Sequence, residues 1–319
     1  MYPHAAAIGA DLGRFAIRTA VVRYDGKVML RESFPLSVKL TRHNIISSLQ
    51  SSIWRTRELA AMKGINPLAV GLSVPGFIDH DRGIVLGPDH GIKGWKNVPL
   101  AQLLQSGTGF PVYAGNDANL MTVAEHRFGR AKGHRHVIFI ALRTGIGGGI
   151  IIDGKLYRGV NNTGGEIGMM IISTGTGDDP MKGRGTLEEF ASACAMVKRY
   201  LLACGEDLSG TARLRARTIF EKSAAGDPVA KMVVDENARY VGIGLANLVS
   251  IFAPEIIIIG GGMALAGDRY INEIRRQTRI NSLSWCAKGL KIEKATLGVD
   301  AAVTGAAWYA LERLDGRHP

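Results

Sequence analysis

Cysteine is scarce in this chain: three among 319 residues, Cys194, Cys204 and Cys286. An odd and widely spaced set supports neither a disulfide framework nor a metal cluster, so small stapled scaffolds and zinc ribbons are excluded. No apolar run approaches the roughly 18 residues that cross a bilayer. The opening MYPHAAAIGADLG also lacks the basic and apolar regions of a signal peptide. Low-complexity segments are absent too. The expectation is a cytoplasmic protein with no membrane partner. Hydrophobic residues make up 46% and charged ones 21%, as in ordinary globular proteins, and the length suits two domains with a core in each.

Acidic residues are the minority charge, 28 against 39 Lys and Arg, for a net +11. Such a surface attracts anions and raises the question of nucleic acid. The densest basic run, His126 to His136, lies just before a central apolar strand and reads as a solvated inter-domain loop. No helix-turn-helix extension fits before the first strand at about Ala6, so nucleic acid is not the expected partner.

What the chain does contain is glycine, 41 residues of it, with its tightest cluster in one short stretch. Val137 to Leu142 is an apolar run that leads straight into Arg143-Thr144-Gly145-Ile146-Gly147-Gly148-Gly149. A strand from Ile150 to Ile152 and a type I′ turn at Asp153-Gly154 are predicted to follow. Bare N–H groups between two strands let an anion approach closely, as a phosphate cradle requires. A lone glycine cluster is more often an ordinary turn, but this pattern occurs twice. Ala7 to Lys27 gives a strand, a short loop with Gly13, a strand from Ile17 to Val22 and a turn at Asp25-Gly26-Lys27. Two such hairpins suggest an internally duplicated α/β fold with one phosphate-facing loop per half. By analogy of fold they resemble those of actin-like (ribonuclease H-like) ATPases, two domains around a cleft. The expected division is 1–118 with 301–319 as the smaller domain and 119–300 as the larger.

Between and beyond the hairpins the periodicity predicts a helix from Asn44 to Met62, with Asn44 as its cap, and a strand from Leu68 to Val74 ending at Pro75-Gly76. Residues 79–99 read as loop, with Trp95 as a packing anchor. A strand from Pro111 to Ala114 delivers Asn116-Asp117-Ala118-Asn119 to the start of a helix. A carboxylate there projects from a rigid element; helix capping by Asn116 or Asp117 explains the same residues, and the two readings are compatible. Leu187 to Ala203 reads as one helix, and Glu188 and Glu189 suit capping in its first turn. A β-branched strand from Glu255 to Ile259 runs into Gly260-Gly261-Gly262, predicted to open onto a helix.

Taken in order, Asp11-Leu12-Gly13, Val74-Pro75-Gly76, Gly94-Trp95-Lys96-Asn97-Val98-Pro99-Leu100 and Asn116-Asp117-Ala118-Asn119 form a recognisable series. It continues with Thr144 to Ile150, Gly164-Gly165-Glu166-Ile167-Gly168, Leu187-Glu188 with Phe190-Ala191-Ser192, and Pro254-Glu255 through Gly262. Over nearly its whole length the chain resembles the ROK family of bacterial sugar kinases and repressors. The resemblance implies transfer of the γ-phosphoryl of Mg·ATP to a sugar hydroxyl, usually on C6, with Asp117 as general base. It implies phosphate contacts at Gly13, Arg14, Thr144, Gly145, Gly147 and Gly148, with Asp11 near the magnesium and Gly261-Gly262 beside the adenine nucleoside. Gly76, Asn116, Glu166, Met169 and Glu188 are the sugar-site positions it implies, and a homodimer is the expected assembly.

The departures are specific. Many family members carry His where this chain has Met169, with a cysteine cluster that together bind a structural zinc. Thr174 to Thr186 holds no cysteine here, so no zinc is expected. Whether Met169 faces the sugar or fills core is open, methionine being more often packing. Arg14-Phe15 replaces a Gly-Thr pair, and Arg143 stands where glycine is common. The arginines either grip phosphate or their bulk obstructs ATP. The alternatives carried forward are therefore a non-catalytic sugar sensor on the same fold, and a kinase of an amino sugar or polyol.

Overall fold

β1 (Ala6–Leu12) is apolar apart from Asp11 and buried along its whole length. In the computed structural model, which describes residues 4–36, 39–88, 91–173, 185–208, 211 and 214–316, this strand lies at the middle of the first sheet. It turns at Gly13 into antiparallel β2 (Ala16–Arg23), which continues into β3 (Val28–Pro35), a half-exposed edge. α1 (Arg42–Ala61) sends Ile45, Leu49 and Ile53 into the core. Its cap is Thr41 and not Asn44: the Thr41 hydroxyl accepts from the Asn44 N–H at 3.3 Å, and the Asn44 side chain donates to Lys39 O.

β4 (Val70–Val74) pairs parallel with β1. The stretch expected to be loop, 79–99, contains β6 (Ile84–Gly87), which pairs with β5 (Phe77–Asp79) just ahead of it, and Trp95 there is completely buried, as a packing anchor should be. After α2 (Leu100–Thr108), β7 (Val112–Asn116) adds parallel to β4, and α3 (Asp117–Phe128) leaves it with no linker at all. The sheet order is β3-β2-β1-β4-β7.

The second half repeats this plan. β8 (Val137–Leu142) pairs antiparallel with β9 (Ile146–Ile152), and β10 (Lys155–Tyr157) follows a turn in which Asp153 and Gly154 both have positive φ, 52° and 77°. That is the predicted type I′ turn. At the corresponding place in the first half only Gly26 has positive φ, so the matching Asp-Gly-Lys letters close differently. Next come α4 (Leu187–Ala191), α5 (Ala193–Ala203), α6 (Ala216–Ala224) and α7 (Pro228–Phe252). β11 (Ile256–Gly260), α8 (Asp268–Asn281) and β12 (Lys291–Lys294) complete the sheet, and α9 (Ala301–Leu314) follows. The order β9-β8-β11-β12 matches β2-β1-β4-β7 strand for strand, with the same parallel and antiparallel senses. Duplication, inferred from two hairpins, extends to both sheets.

The helix predicted over 187–203 is two helices. Ser192 sits between them in extended conformation (φ −68°, ψ 165°), and its hydroxyl accepts from the Ala195 N–H at 3.2 Å to start α5. Serine competes with the helical backbone in this way. Behind the break, Asn237 donates to Ala191 O at 3.0 Å and accepts from the Tyr270 hydroxyl at 2.5 Å. Burial pushes the Tyr270 phenol up, which keeps it a neutral donor.

By contact the chain forms two compact units, 1–133 with 155–164 and 296–319, and 134–154 with 165–295. These divisions differ from the expected 118 and 300 because α3 packs against α9 within the first unit. Two glycines let α9 lie directly on the sheet: a Cβ on Gly9 would stand 1.9 Å from Val303 O, and one on Gly71 1.8 Å from Ala306 O. Neither obstacle is a movable side chain. Gly71→Ala is therefore expected to destabilise the protein by about 3 kcal/mol or more, or to prevent folding. Urea unfolding measures it, and a loss below about 1 kcal/mol would contradict this packing.

Candidate functional site

In the first unit the register sets Asp11 beside Ser73 and Ser73 beside Gly115, so three strands end together. Loops at the carboxyl ends of parallel strands are where open α/β sheets hold ligands. Asp11, Gly13, Arg14, Gly76, Asn116 and Asp117 all lie at this edge. Asp11 is 2% exposed; the Ser73 hydroxyl donates to its Oδ1 at 2.8 Å, and Arg18 Nη1 stands 3.6 Å from its Oδ2. Ser73 and Arg18 were missed at the sequence level. A serine inside the apolar strand Val70–Val74 was the available signal.

Asn116 and Asp117 divide the two roles left open by the sequence. Asn116 is the cap, its Oδ1 accepting from the Asn119 N–H at 3.0 Å, and its Nδ2 donates to Gly76 O at 3.1 Å. One amide thus ties the β7–α3 junction to the turn after β4. Asp117, partly exposed, is the first residue of α3 and accepts from the Ala118 N–H at 2.9 Å. Its carboxylate stands at the N-terminus of α3. Arg14 and Phe15 are both exposed at the hairpin tip, Phe15 at 65%, with the Arg14 guanidinium 5.7 Å from the Phe15 ring centroid.

In the second unit the glycine-rich stretch is mostly strand. β9 begins at Ile146, and Gly147, Gly148 and Gly149 pair with Ala141, Ile140 and Phe139. The loop is only Arg143-Thr144-Gly145. Gly147 and Gly148, expected in a phosphate loop, are ladder residues, and a Cβ on Gly148 would stand 2.3 Å from Ile167 Cδ1. Packing accounts for that glycine.

The short loop is braced from behind. The Ile146 N–H donates to Glu188 Oε2 at 2.7 Å, and Ala193 at the start of α5 donates its N–H to Arg143 O at 2.9 Å. Glu188 and Glu189, both expected as capping residues, therefore part ways. Glu189 forms the capping box with Thr186, while Glu188 holds the hairpin. Gly261 follows β11 with φ +87°, and a Cβ on it would meet Leu142 O at 2.3 Å. Gly262 opens the predicted helix, a short 3-10 one (Gly262–Leu265); no atom lies within 4 Å of where its Cβ would be. Glu166 is exposed and immediately precedes a second 3-10 turn, Ile167–Met169. Met169 is 48% exposed, so it does not fill the core. The segment expected to lack zinc ligands lies, over 174–184, outside the described residues.

A family model described as the ROK family matches residues 7–313. The chain belongs to the ROK family. A glucokinase of Halalkalibacterium halodurans is 32% identical to this ROK chain over 96% of it and 95% of the relative. A xylose repressor of Caldicellulosiruptor bescii is also 32% identical, over 93% of this chain and 76% of the repressor. Among solved structures, a ROK family glucokinase of Streptomyces griseus, in complex with glucose and AMPPNP, superposes with a TM-score of 0.80. It is 30% identical, with 97% of this chain and 100% of that one covered. The fold is the duplicated actin-like fold of the ROK sugar kinases, as the repeated hairpins and the family resemblance together led us to expect.

Removing the Glu188 carboxylate leaves the Ile146 N–H without its acceptor. Glu188→Ala is expected to cost about 1–3 kcal/mol and to speed hydrogen exchange at the Ile146 amide selectively. Unchanged protection at that amide would show that the brace is not needed.

Proposed function

We propose that this protein is an ATP-dependent carbohydrate kinase that moves the γ-phosphoryl group of Mg·ATP to a hydroxyl, the C6 hydroxyl of a hexose or closely related sugar. The observation that carries the reading is Asp117: a partly exposed carboxylate at the start of α3, beside a neighbour, Asn116, that does the capping. Glucokinase relatives that match almost the whole chain support it.

Asp117 accepts the proton of the sugar hydroxyl as that oxygen attacks the γ-phosphorus. The bond from phosphorus to the β-bridging oxygen breaks, and ADP leaves with the electron pair. Asn116, Gly76, Glu166 and Glu188 orient the sugar. Glu188 has one oxygen already committed to the Ile146 N–H, so the other is the one it offers. Met169 supplies apolar contact in place of a hydrogen bond. The backbone of Gly13 and of Thr144-Gly145 holds the phosphates, with Arg14 as an added cation. Gly262 presents open backbone to the nucleoside, and Gly261, packed against the Leu142 backbone, sets the turn that leads to it.

Among the described residues no group of three His, Cys, Asp or Glu side chains forms a metal cage. Asp11 nevertheless fits magnesium, which binds through one or two carboxylates plus substrate phosphates and keeps its waters. Held there, magnesium neutralises charge on the phosphate oxygens. Arg18, 3.6 Å from Asp11, is the cation that shares this carboxylate. The two units serve as the two domains of the kinase, and a homodimer is the proposed assembly. The second reading, a sugar sensor, draws on the xylose repressors among the relatives and on the exposed Arg14-Phe15 tip.

Coupled ADP release with Mg·ATP against hexoses, amino sugars and polyols decides between them. Sugar-dependent turnover should fall about 100-fold or more in Asp117→Asn. If no sugar stimulates turnover while one still raises the melting temperature, the protein is a sensor.

A further inference from the structure

Glu125 has no part in the chemistry above, yet it is an ionisable side chain with 0% exposure. It sits in the last turn of α3, where its charge opposes the helix dipole. A buried carboxylate persists only when its lone pairs are filled. Here they are: Oε1 accepts the N–H groups of Thr296 at 2.8 Å and Leu297 at 2.7 Å, and Oε2 accepts the Arg130 N–H at 3.0 Å and the Thr296 hydroxyl at 3.2 Å. The chain after α3 folds around it. A Cβ on Gly129 would stand 2.0 Å from Glu125 Oε2, and the Ala131 N–H returns to Glu125 O at 3.1 Å.

The packing of α3 explains what such an anchor is for. α3 meets α9 at Gly305, where a Cβ would lie 2.0 Å from Leu120 O. The close backbone contact is flanked by side chains, Leu120 against Ala306 and Tyr309, and Phe128 and Arg127 against the Trp308 ring. Polar ties at the two ends of α3 add directional constraints that apolar packing alone lacks. Asn116 holds the first turn, and Glu125 holds the last to the segment that leads into α9.

We propose that Glu125 is the positioning residue for Asp117: its carboxylate fixes the axial position and roll of α3, and with them the placement of the general base. This rests on the kinase reading above. Asp117 is eight residues away, about 12 Å along the axis, and the rigid helix carries any shift from one end to the other. A displacement of an ångström at a reacting group is enough to slow catalysis substantially.

The test uses the full chain carrying Glu125→Gln, which keeps an acceptor for Thr296 and Leu297 but sets a donor against the Arg130 N–H. With the best sugar of the panel, kcat should fall about 10-fold while KM for that sugar stays within about 3-fold. In the Asp117→Asn background the same change should cost less than about 2-fold, since the base it positions is gone. Hydrogen exchange at the amides of 117–121 should quicken about 10-fold with β1 unaffected. An equal loss in both backgrounds, an unchanged kcat, or uniform faster exchange would overturn the proposal. If the parent chain turns over no sugar, the kinase reading fails instead. Exchange alone then decides: selective quickening at 117–121 upholds the anchoring of α3, and its absence refutes it.

Discussion

Backbone packed on backbone is the constraint from which the first unit is built. α9 sits on β1 and β4 with carbonyl oxygens of Val303 and Ala306 filling the space where side chains of Gly9 and Gly71 would be. At that separation the helix has no alternative seat, because nothing in the contact can change rotamer. The consequence runs outward: α3 packs in turn on Gly305 of α9, and Asp117 is the first residue of α3. The position of the proposed base therefore traces back, through two helices, to glycines in a buried sheet.

Both units handle carboxylates by the same rule. Asp11 is buried beneath a serine hydroxyl, Glu188 receives the Ile146 N–H, Glu189 closes a capping box, and Glu125 collects four donors. Each accepts from backbone or hydroxyl groups, which offsets the desolvation cost of the carboxylate. Asp11 also has Arg18 beside it, 46% exposed at the side chain.

The sequence carried the architecture well because its strongest signal was repetition. Two hairpins at a domain's separation foretold two sheets of matching order, and the ROK motifs placed Asp11, Asn116 and Asp117 at strand ends where the register does bring them together. It misled where one residue type serves two purposes. Gly147 to Gly149 looked like loop because glycine permits loops, yet they are strand, with Gly148 small to admit Ile167. Glu188 looked like a cap because acids suit first turns, yet its partner is 42 residues away. Thr41 displaced Asn44 as the α1 cap, and Ser192 broke a helix that periodicity alone continued. Glu125 gave no local signal at all, since its partners at 296 and 297 are distant in sequence.

The two loops proposed to hold phosphate differ in how they are held, and this bears on the departures from the family pattern. Arg143-Thr144-Gly145 is pinned by Glu188 and by the start of α5, through backbone groups on the loop side. The Gly13 turn is closed by its own backbone, with the Gly13 N–H shared between Asp11 O and Ala16 O, and Leu36 donates to Phe15 O. Arg14 and Phe15 thus project outward from a turn already complete. Bulk at these two positions changes what the tip presents to a nucleotide and leaves the hairpin itself intact, which is why the altered loop is compatible with a working kinase.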